Sequence, residues 1–442
     1  MPRHVDIAVV GAGAAGLFAS IWAGRALQRT DLNQSRGLQS ARSCGRIIAL
    51  DGATKLGAKI LVSGGGRCNV THHAVDESAY AGSSKNAIRK VLQRFHVERT
   101  VEFFREAGVE LKREETGKLF PVSDDGQTVL DALLRAAAGA GADVVHPWRV
   151  AAIERSEGGF VIHREPVGES GEYVSGDRVL ARQVILATGG KSLPKTGSDG
   201  LGFEIAKSLG HSITSRVFPA LVPLTISKDH WLTHLSGVTL PATLELRAAS
   251  GKRLISFTNS TLITHFGLSG PSVLDMSRYF TDAKLSGESP PVLVLNWMPS
   301  ESIEALDAAL SAAGRSGGVS ILRFFETKLA ERIVRAVCFA VGVDPAASLS
   351  EMTKEKRRAL AIALTEFPLP ITGDRGYLFA EATAGGVPLS ELKLDTMESR
   401  VCPGLHICGE LCDVDGRVGG FNFQWAWASG YVAGCGAATT SA

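Results

Sequence analysis

Short apolar runs and longer periodic segments alternate at the start of the chain. Residues 4–10 are β-branched, apolar and ended by glycine, so they predict a buried strand. Residues 14–29 are rich in Ala, Leu and Trp and predict a helix, and 46–51 predicts a second strand. A polar stretch without periodicity, 30–45, separates helix and strand, and a glycine-rich loop covers 52–71. This order predicts a β–α–β unit with parallel strands.

The pattern changes near residue 199 and returns to its first form near the end of the chain. Before this point, the elements predicted are a helix over 86–107, a hairpin over 109–121, a helix over 127–139 and a strand over 184–187. After it come predicted strands at 217–226, 239–247 and 292–297, helices at 301–312, 320–341 and 351–364, a strand at 405–410 and a helix over about 422–436. An insertion into a Rossmann-type domain explains this order. We expect 1–198 and 373–442 to form that domain and 199–372 to form the insert.

Composition narrows the class of protein. The 442 residues are too many for one hydrophobic core, and the 45% hydrophobic and 21% charged residues are typical of soluble globular proteins. The 49 glycines are an excess, and many occur in short clusters such as 64–66 and 419–420. Glycine clusters of this kind allow the backbone to approach a large ligand.

Charge and cysteine usage exclude further classes. A net charge of +2 is too small to indicate nucleic-acid binding by itself. The seven cysteines are scattered without a CxxC pair, which argues against a disulfide framework or a structural zinc site. With no apolar run of 18 residues and no leader-like N-terminus, we expect a cytoplasmic protein without a membrane partner.

A dinucleotide fingerprint follows the first strand. Gly11, Gly13 and Gly16 form a GxGxxG motif that opens a predicted helix. The first glycine allows a tight turn, the second lets the backbone approach a pyrophosphate, and the third packs helix against strand. Asp31 has the usual spacing for the acid that binds ribose but follows no strand, whereas Asp51 ends a predicted strand and is the better candidate.

Three further motifs favour a flavin as the resident ligand. Residues 63–69 (SGGGRCN) offer successive backbone N–H groups with an arginine and an amide. Residues 187–190 (ATGG) end a strand, as in flavoproteins with two dinucleotide-binding motifs. Finally, Gly409-Glu410-x-x-Asp413 precedes 419–422 (GGFN) and a helix, whose N-terminus can face the pyrimidine oxygens of a flavin.

At these motifs the chain resembles the BaiN/RdsA family of NAD(P)/FAD-dependent oxidoreductases, also called YhiN-like or aminoacetone-oxidase-like flavoproteins. The stretches that carry the resemblance are LGAKILVSGGGRCNVTH (56–72), VILATGGKSLPKTGSDGLGFEIAKSLGH (184–211), FPALVPLT (218–225), THFGLSGPSVLDMSR (264–278), FPLPITGDRGYLFAEATAGGV (367–387) and PGLHICGELCDVDGRVGGFNFQWAWASGYVAG (403–434). They run from one end of the chain to the other.

The resemblance implies an α/β fold: a Rossmann-like FAD domain with an inserted β-barrel-like part at about 212–298 and a helical part at about 299–372. It implies FAD contacts at Gly11, Ala12, Gly13, Ala14, Ala15, Gly16, Asp51, Lys59, Gly65, Gly66, Arg67, Cys68, Asn69, Val150, Thr188, Gly189, Gly190, Gly409, Glu410, Asp413, Gly419, Gly420, Phe421, Asn422, Gln424, Trp425 and Ala426. The family usually has Glu where this chain has Asp51, and it lacks most of the 30–45 insertion.

The activities assigned within this family differ, and the fold does not choose among them. They are reduction of a uridine in large-subunit ribosomal RNA to dihydrouridine, reduction of steroid-like enones, and oxidation of aminoacetone. We expect an NAD(P)H-driven reductase of a conjugated C=C bond with ribosomal RNA as the leading substrate. A small-molecule enone reductase or amine oxidase is one alternative, and a flavin-bound RNA-associated protein with incidental redox activity is another.

Reduction of a conjugated C=C bond needs a proton donor as well as a hydride source. His265 and Cys68 are the candidates, although His265 could instead order the insert and Cys68 could pack against the cofactor. The spacing of Cys402, Cys408 and Cys412 suits neither zinc nor a redox dithiol and favours core packing. Trp425 and Trp427, at the start of the last helix, could line the flavin site or pack in the core.

An RNA substrate would need a basic surface. The basic clusters in the sequence are Arg25, Arg29, Arg36, Arg42 and Arg46; Lys85, Arg89, Lys90 and Arg94; and Lys354, Lys356, Arg357 and Arg358. Each could simply be a solvated face. Together they make a polynucleotide substrate more plausible than a small amine.

Overall fold

Parallel strands from both ends of the chain form the centre of the first of two structural units. The computed structural model describes residues 3–34, 46–165, 178–287 and 291–441. Its backbone divides into one unit of Met1–Pro219 with Glu381–Ala442 and a second unit of Ala220–Ala380.

The helices, numbered along the chain, are α1 (Ala14–Gln34), α2 (Ala58–Val62), α3 (Lys85–Leu92), α4 (Val97–Glu106), α5 (Gly126–Gly139), α6 (Leu201–Ser208), α7 (Pro271–Leu285), α8 (Ile303–Arg315), α9 (Ile321–Phe325), α10 (Glu331–Ala340), α11 (Lys354–Thr365) and α12 (Phe421–Ser441). The strands are β1 (Arg3–Val10), β2 (Ile47–Leu50), β3 (Thr71–His72), β4 (Tyr80–Gly82), β5 (Leu111–Arg113), β6 (Lys118–Pro121), β7 (Ala142–Val145), β8 (Val150–Ser156), β9 (Gly159–Arg164), β10 (Arg178–Leu186), β11 (Phe218–Ala220), β12 (Leu224–Ile226), β13 (Thr239–Arg247), β14 (Arg253–Thr264), β15 (Gly267–Ser269), β16 (Val292–Asn296), β17 (Phe367–Pro368), β18 (Ile371–Asp374), β19 (Ala382–Ala384), β20 (Leu392–Lys393), β21 (Glu398–Ser399), β22 (Leu405–Ile407) and β23 (Val414–Gly416).

The main sheet of the first unit has the order β20-β21-β22-β10-β1-β2-β7, and the hairpin β8–β9 is attached to β10. From β22 to β7 every neighbouring pair is parallel, and the short strands β20 and β21 extend the edge in antiparallel fashion. Strand β1 is apolar and buried from Ile7 to Val10, as expected for a strand covered on both faces. The insertion predicted from the sequence therefore leaves one continuous sheet.

Helices α1 and α12 pack closely on each other because small residues face small residues. A Cβ at Gly434 would lie 2.3 Å from the Ala19 carbonyl oxygen, and a Cβ at Gly430 would lie 2.6 Å from that of Ala15. Neither position has room for a side chain. This close packing holds the last helix of the chain against the first helix, which follows the fingerprint.

The second unit is built on an antiparallel sheet with the order β17-β16-β13-β14-β15-β12-β18. Its two edge strands are joined by a very short segment, from Pro368 to Ile371, which spans at most about 11 Å. A flat sheet of this order would be about 29 Å wide, so the sheet must curl until its edges approach each other. This is the barrel-like part of the insert, and helices α8 to α11 form its helical part.

Several predicted elements are divided in the structure. The helix predicted over 86–107 is two helices, because the chain turns at Phe95, which is buried, and restarts at an extended His96. The helix predicted over 320–341 likewise breaks into α9 and α10 before an extended Ala330. The strand predicted over 217–226 is β11 and β12, separated by Leu221 with φ of 52°.

Other differences are extensions or omissions. Helix α1 continues to Gln34, five residues into the stretch interpreted as irregular, and the rest of that stretch lies outside the described residues. The pattern gave no strand for β14 and no helix for α7. Within the described residues, no helix combines the length and apolar character that spanning a bilayer requires.

Candidate functional site

The predicted cofactor motifs meet at one edge of the main sheet. Val10 pairs with both Leu50 and Leu186, and Leu186 pairs with Ile407. Because these strands are parallel, the residues that follow them lie side by side at their carboxyl ends. The segments brought together are the fingerprint at 11–16, Asp51, the ATGG motif at 187–190 and Gly409-Glu410. This is where open α/β sheets bind their ligands.

The three fingerprint glycines have different surroundings. Gly11 has φ of 97°, and a Cβ there would lie 2.5 Å from the Ala187 carbonyl oxygen. A Cβ at Gly16 would lie 1.8 Å from the Gly11 carbonyl oxygen, so this glycine packs α1 against the strand end. A Cβ at Gly13 would meet no protein atom within 4 Å. The open side of Gly13, at the positive N-terminus of α1, is a place where a pyrophosphate can approach.

Asp51 anchors the turn of the fingerprint. Its Oδ2 accepts a hydrogen bond from the Ala12 N–H at 2.7 Å, and its Oδ1 accepts one from the Ala53 N–H at 2.8 Å. The Asp51 carbonyl accepts from the Trp148 N–H, two residues before Val150. Val150 is buried at the start of β8. The carboxylate therefore lies beside the fingerprint, where an acid for a ribose hydroxyl is required.

The glycine-rich loop adopts a backbone that suits glycine. Gly64, Gly65 and Gly66 have φ of 57°, 71° and 90°, and a Cβ at Gly65 would meet no protein atom within 4 Å. After the loop, Asn69, with its amide oriented to satisfy both neighbours, accepts from the Gly420 N–H at 3.0 Å and donates to the Thr71 carbonyl at 2.9 Å. The loop is thus fastened to the segment that begins α12.

Two side chains of this loop interact with neighbouring protein groups. The Arg67 guanidinium binds Glu114 at 2.7 Å, lies 3.6 Å from Asp124 and covers the Phe120 ring at 4.0 Å. The Cys68 side chain is fully buried, and burial raises the pKa of its thiol to about 12 despite a hydrogen bond with Ser63. These positions favour the interpretation of Cys68 as a packing residue.

A buried ion pair joins the loop region to the end of β22. Lys59 Nζ donates to Glu410 Oε2 at 2.6 Å and to Ser192 Oγ at 2.8 Å. Glu410 Oε1 accepts from Ser192 Oγ at 2.7 Å and from the Thr383 N–H at 2.8 Å. The two charged side chains are only 27% and 19% exposed.

Glu410 stays ionised in this network. Burial raises the pKa of its carboxyl, but the charge of Lys59 and hydrogen bonds from Lys59, Ser192 and Thr383 outweigh burial and leave the pKa below its ordinary value. Thr383 also accepts from the N–H groups of Lys191 and Ser192 through its hydroxyl. Sequence reasoning gave no role to Ser192 or Thr383, although both lie in the stretches that carry the family resemblance.

The ATGG motif lies against this network. A Cβ at Gly190 would lie 2.4 Å from Thr383 Oγ1 and 3.0 Å from Glu410 Oε1, and one at Gly189 would lie 2.7 Å from Ser198 Oγ. The Thr188 hydroxyl is buried without a hydrogen-bond partner among the described residues. An orphaned hydroxyl at the ligand-binding edge, together with the open sides of Gly13 and Gly65, fits a site whose partner atoms belong to a nucleotide.

The polar side chains of Asn422 and Gln424, at the start of α12, form hydrogen bonds within the protein. The Asn422 amide pairs with both the N–H and the carbonyl of Gly416 at 2.8 and 2.9 Å. Gln424 is 1% exposed; its Oε1 accepts from Thr71 and Thr100, and its Nε2 donates to the Phe95 carbonyl. These contacts hold the N-terminus of α12 in position, so any contact that these two residues make with a cofactor would involve the backbone.

The neighbouring aromatic residues brace the same region. The Trp425 indole N–H donates to the Gly409 carbonyl at 3.0 Å, and that of Trp427 donates to the Val70 carbonyl at 2.9 Å. Both rings are buried. Phe421 stacks on His72 at 4.9 Å. The remaining predicted contacts near this helix, Ala14, Ala15, Asp413, Gly419 and Ala426, lie in the same unit, and the Asp413 carbonyl accepts from the Ser83 N–H.

The other sequence candidates lie elsewhere. His265 is exposed at the turn between β14 and β15 in the second unit, where its ring contacts Phe266. Cys402, Cys408 and Cys412 are buried in the core of the first unit, in agreement with the packing interpretation. Burial raises the pKa of the Cys408 thiol to about 12.

Helix α3 presents the expected basic face. Lys85, Arg89 and Lys90 are exposed, and Ile88, Val91 and Leu92 are buried on its other side. Arg89 pairs with Glu77, and in α11 Arg357 pairs with Asp307 at 2.9 Å. Arg36 and Arg42 lie outside the described residues.

Comparison with known proteins identifies the family. The model of the HI0933-like protein Rossmann domain matches residues 5–436. The chain belongs to the HI0933-like family. A 3-dehydro-bile acid delta(4,6)-reductase of Clostridium scindens is 33% identical over 98% of each chain. A ribosomal RNA dihydrouridine synthase of Escherichia coli is 30% identical over 97% of each chain, and one of Haemophilus influenzae is 30% identical over 98% of each chain.

A solved structure agrees on the fold. The 3-ketosteroid delta1-dehydrogenase of Sterolibacterium denitrificans matches 99% of this chain and 100% of its own, with a TM-score of 0.50 and 13% sequence identity. Together with the family match, these relatives show that this HI0933-like protein is an FAD-dependent oxidoreductase with an FAD-binding Rossmann-type fold. The expectations of fold class, family and FAD as the cofactor are confirmed.

Proposed function

We propose that this protein takes electrons from NAD(P)H and reduces the C5–C6 double bond of a uridine in large-subunit ribosomal RNA, in the cytoplasm. The observation that carries the proposal is the 30% identity, over almost the whole chain, to two ribosomal RNA dihydrouridine synthases. The name of the bile acid relative also describes removal of C=C bonds conjugated with a ketone. The reaction consumes NAD(P)H, a proton and uridine and yields NAD(P)⁺ and dihydrouridine.

The sheet edge described above supplies the cofactor site in this proposal. The bound flavin would supply hydride to the substrate carbon β to the carbonyl. Gly13 and the N-terminus of α1 would hold the pyrophosphate, and Asp51 would hold the ribose. The Lys59–Glu410 pair and the first turn of α12 would hold the isoalloxazine end of the flavin. Glu410 follows β22, whose carboxyl end pairs with that of β10, and Lys59 and the first turn of α12 lie beside these strand ends.

The protein must also deliver a proton to the α-carbon. Of the two candidates, His265 is exposed on a turn, and Cys68 is buried with a thiol pKa of about 12. A thiol with that pKa is a weak proton donor near neutral pH, and its side chain has no exposed surface. His265 is the remaining sequence candidate, and His265→Gln tests it: a lower rate of C=C reduction with bound flavin retained would assign proton delivery to His265, and an unchanged rate would exclude it.

The proposal is tested with purified flavin-loaded protein, ribosomal RNA lacking this modification, and NADH or NADPH under anaerobic conditions. Formation of dihydrouridine, measured by mass spectrometry and matched by NAD(P)H consumption, supports it. NAD(P)H consumption with a steroid-like enone but none with RNA would favour a small-molecule reductase, for which the 33% identity to the bile acid reductase is the specific argument. Peroxide formation with an amine would instead support an oxidase.

A further inference from the structure

A cavity lies along the helices α1 and α12, away from the fingerprint. It has a volume of about 170 Å³. Its lining residues come from one stripe of each helix: Trp22, Arg25, Ala26 and Arg29 of α1, and Tyr431, Cys435, Ala438 and Thr439 of α12. At a rise of 1.5 Å per residue, Arg29 lies about 24 Å along α1 from Gly13. This α1–α12 cavity is therefore separate from the cofactor edge.

Arginines cover the aromatic rings of the cavity. The Arg25 guanidinium lies 4.9 Å from the centroid of the Trp22 ring. Arg99, from α4, lies 4.6 Å from the centroid of the Tyr431 ring and 5.7 Å from that of Trp22. Within the described residues, no carboxylate is within 4.0 Å of Arg25, Arg29 or Arg99. Arg99 also donates one hydrogen bond to the Arg94 carbonyl at 2.9 Å. Stacking on rings holds a guanidinium in place while its remaining N–H donors can bind an anion.

The cavity wall contains one more donor without an acceptor. Trp22 is 9% exposed, and its indole N–H is buried without a hydrogen-bond partner in the described part of the chain. Tryptophan and arginine side chains can only donate hydrogen bonds. A buried donor without an acceptor is unfavourable.

Cys435, which lines the cavity, is influenced by two of the arginines. Burial raises the pKa of the Cys435 thiol, while a hydrogen bond with Tyr431 and the charges of Arg99 and Arg29 act in the opposite direction. Along the chain, the acid nearest to Arg29 is Asp31, two residues later, and residues 32–50 contain no Asp or Glu.

We propose that the α1–α12 cavity binds one phosphate group. Its volume equals that of about five or six water molecules, which suits a single phosphate and is smaller than the roughly 300–1,000 Å³ of pockets for whole small molecules. Guanidinium groups bind phosphate oxygens in a forked geometry, and nothing in the described wall supplies a competing negative charge. A backbone phosphate of RNA and free phosphate offer the same chemistry, and RNA as the source rests on the function proposed above.

The test uses the full-length protein loaded with FAD, so that the cofactor site is filled. Inorganic phosphate replaces chloride at constant ionic strength, and the melting temperature is followed in wild type, Arg29→Gln and Arg25→Gln. Arg135→Gln is the matched control, because Arg135 is an exposed arginine of α5 that does not line the cavity. We expect phosphate to raise the melting temperature of wild type and control and not that of the two cavity variants. Retained flavin absorbance shows that the variants are folded.

A second measurement identifies the source of the phosphate. Binding of a labelled fragment of large-subunit ribosomal RNA is measured by fluorescence anisotropy over a range of salt concentrations. If the group comes from RNA, Arg29→Gln weakens binding about tenfold and reduces the slope of log affinity against log salt by about 1, and the control matches wild type. Phosphate protection with unchanged RNA affinity would identify free phosphate as the ligand.

Equal phosphate protection in wild type and both cavity variants would overturn the inference. This outcome is distinct from failure of the proposed function. If the protein forms no dihydrouridine but phosphate protection still depends on Arg25 and Arg29, the cavity is a phosphate site of an enzyme with another substrate.

Discussion

Removing the charge of Glu410 tests whether the Lys59–Glu410 pair holds the cofactor edge together. The pair is about four-fifths buried at Glu410, and three groups donate hydrogen bonds to its carboxylate. Breaking a fully buried pair costs about 3–5 kcal/mol, and exposed pairs are worth about 0–1 kcal/mol. For Glu410→Gln, which keeps the shape, we expect the free energy of unfolding to fall by about 2–3 kcal/mol, since Lys59 is left without its partner.

A double-mutant cycle isolates the pair itself. Lys59→Met, Glu410→Gln and the double variant are unfolded in urea and followed by tryptophan fluorescence. We expect a coupling free energy of about 1–2 kcal/mol. The exposed pair Lys207–Glu204 in α6 is the matched control and should show a coupling near zero. A coupling below about 0.5 kcal/mol for Lys59 and Glu410 would refute the argument.

The stability difference between wild type and Glu410→Gln should depend on pH. Because the pKa of Glu410 is lower in the folded protein than the ordinary value of 4.5, the unfolded chain takes up the proton first as pH falls. The stabilisation is complete well above pH 4.5 and is lost as pH falls through the folded pKa. Wild type and Glu410→Gln should therefore differ most near pH 7 and converge in acid. A difference that is constant with pH would show that the carboxylate charge is not the cause.

Three further predictions concern the cofactor edge and its support. Gly13→Glu should abolish flavin absorbance while the far-UV circular dichroism of the protein is kept, because the position faces open space; Gly16→Val should instead unfold the domain, since a Cβ there meets the backbone at 1.8 Å. Cys68→Ala should change turnover less than about twofold and lower stability by about 1 kcal/mol, as expected for a buried residue in packing; a tenfold loss of turnover would show that the thiol takes part. Gln424→Leu should lower the free energy of unfolding by about 2–4 kcal/mol because it leaves buried partners unsatisfied, and the exposed Gln127→Ala should have little effect. Equal losses in the two glutamine variants would contradict that account.

The meeting of the glycine motifs at the carboxyl ends of the parallel strands could be predicted because it depends on local signals. A buried strand, a glycine motif and a helix follow one another at residues 4–29. Glycine motifs at 187–190 and 409–410 likewise come at the ends of two later strands. Parallel pairing then places the ends of these strands together without further information. The family resemblance added the long-range link between residues 184–190 and 405–410, which hydrophobic periodicity alone does not specify.

The contacts among side chains could not be predicted, because they join residues far apart in the chain. Ser192 and Thr383 meet Glu410 only after the sheet has formed, and no spacing in the sequence indicates it. Arg67 lay in a loop interpreted as a phosphate cradle, yet the carboxylates of Glu114 and Asp124 bind it. A local pattern identifies which residue types lie at a site. It does not show which side chains elsewhere in the chain will bind them in place of a ligand.

The predicted boundaries of helices and strands were wrong where tertiary packing overrode the periodicity of the sequence. Apolar spacing continues through Phe95, yet this ring is buried beside Phe18 at 5.1 Å and the helix breaks around it. Strand β14 was not predicted because polar residues interrupt its alternation, and only a few of its positions are buried. Its stability comes from pairing with β13 along its length.

The most direct test of the proposed function is a map of dihydrouridine in large-subunit ribosomal RNA. The RNA is taken from cells that have the gene, cells that lack it, and deleted cells that express wild type or Gly13→Glu. We expect one dihydrouridine to disappear on deletion and to return with wild type but not with Gly13→Glu, which we expect to lose the flavin. An unchanged dihydrouridine map in the deleted cells would contradict the assignment of ribosomal RNA as the substrate.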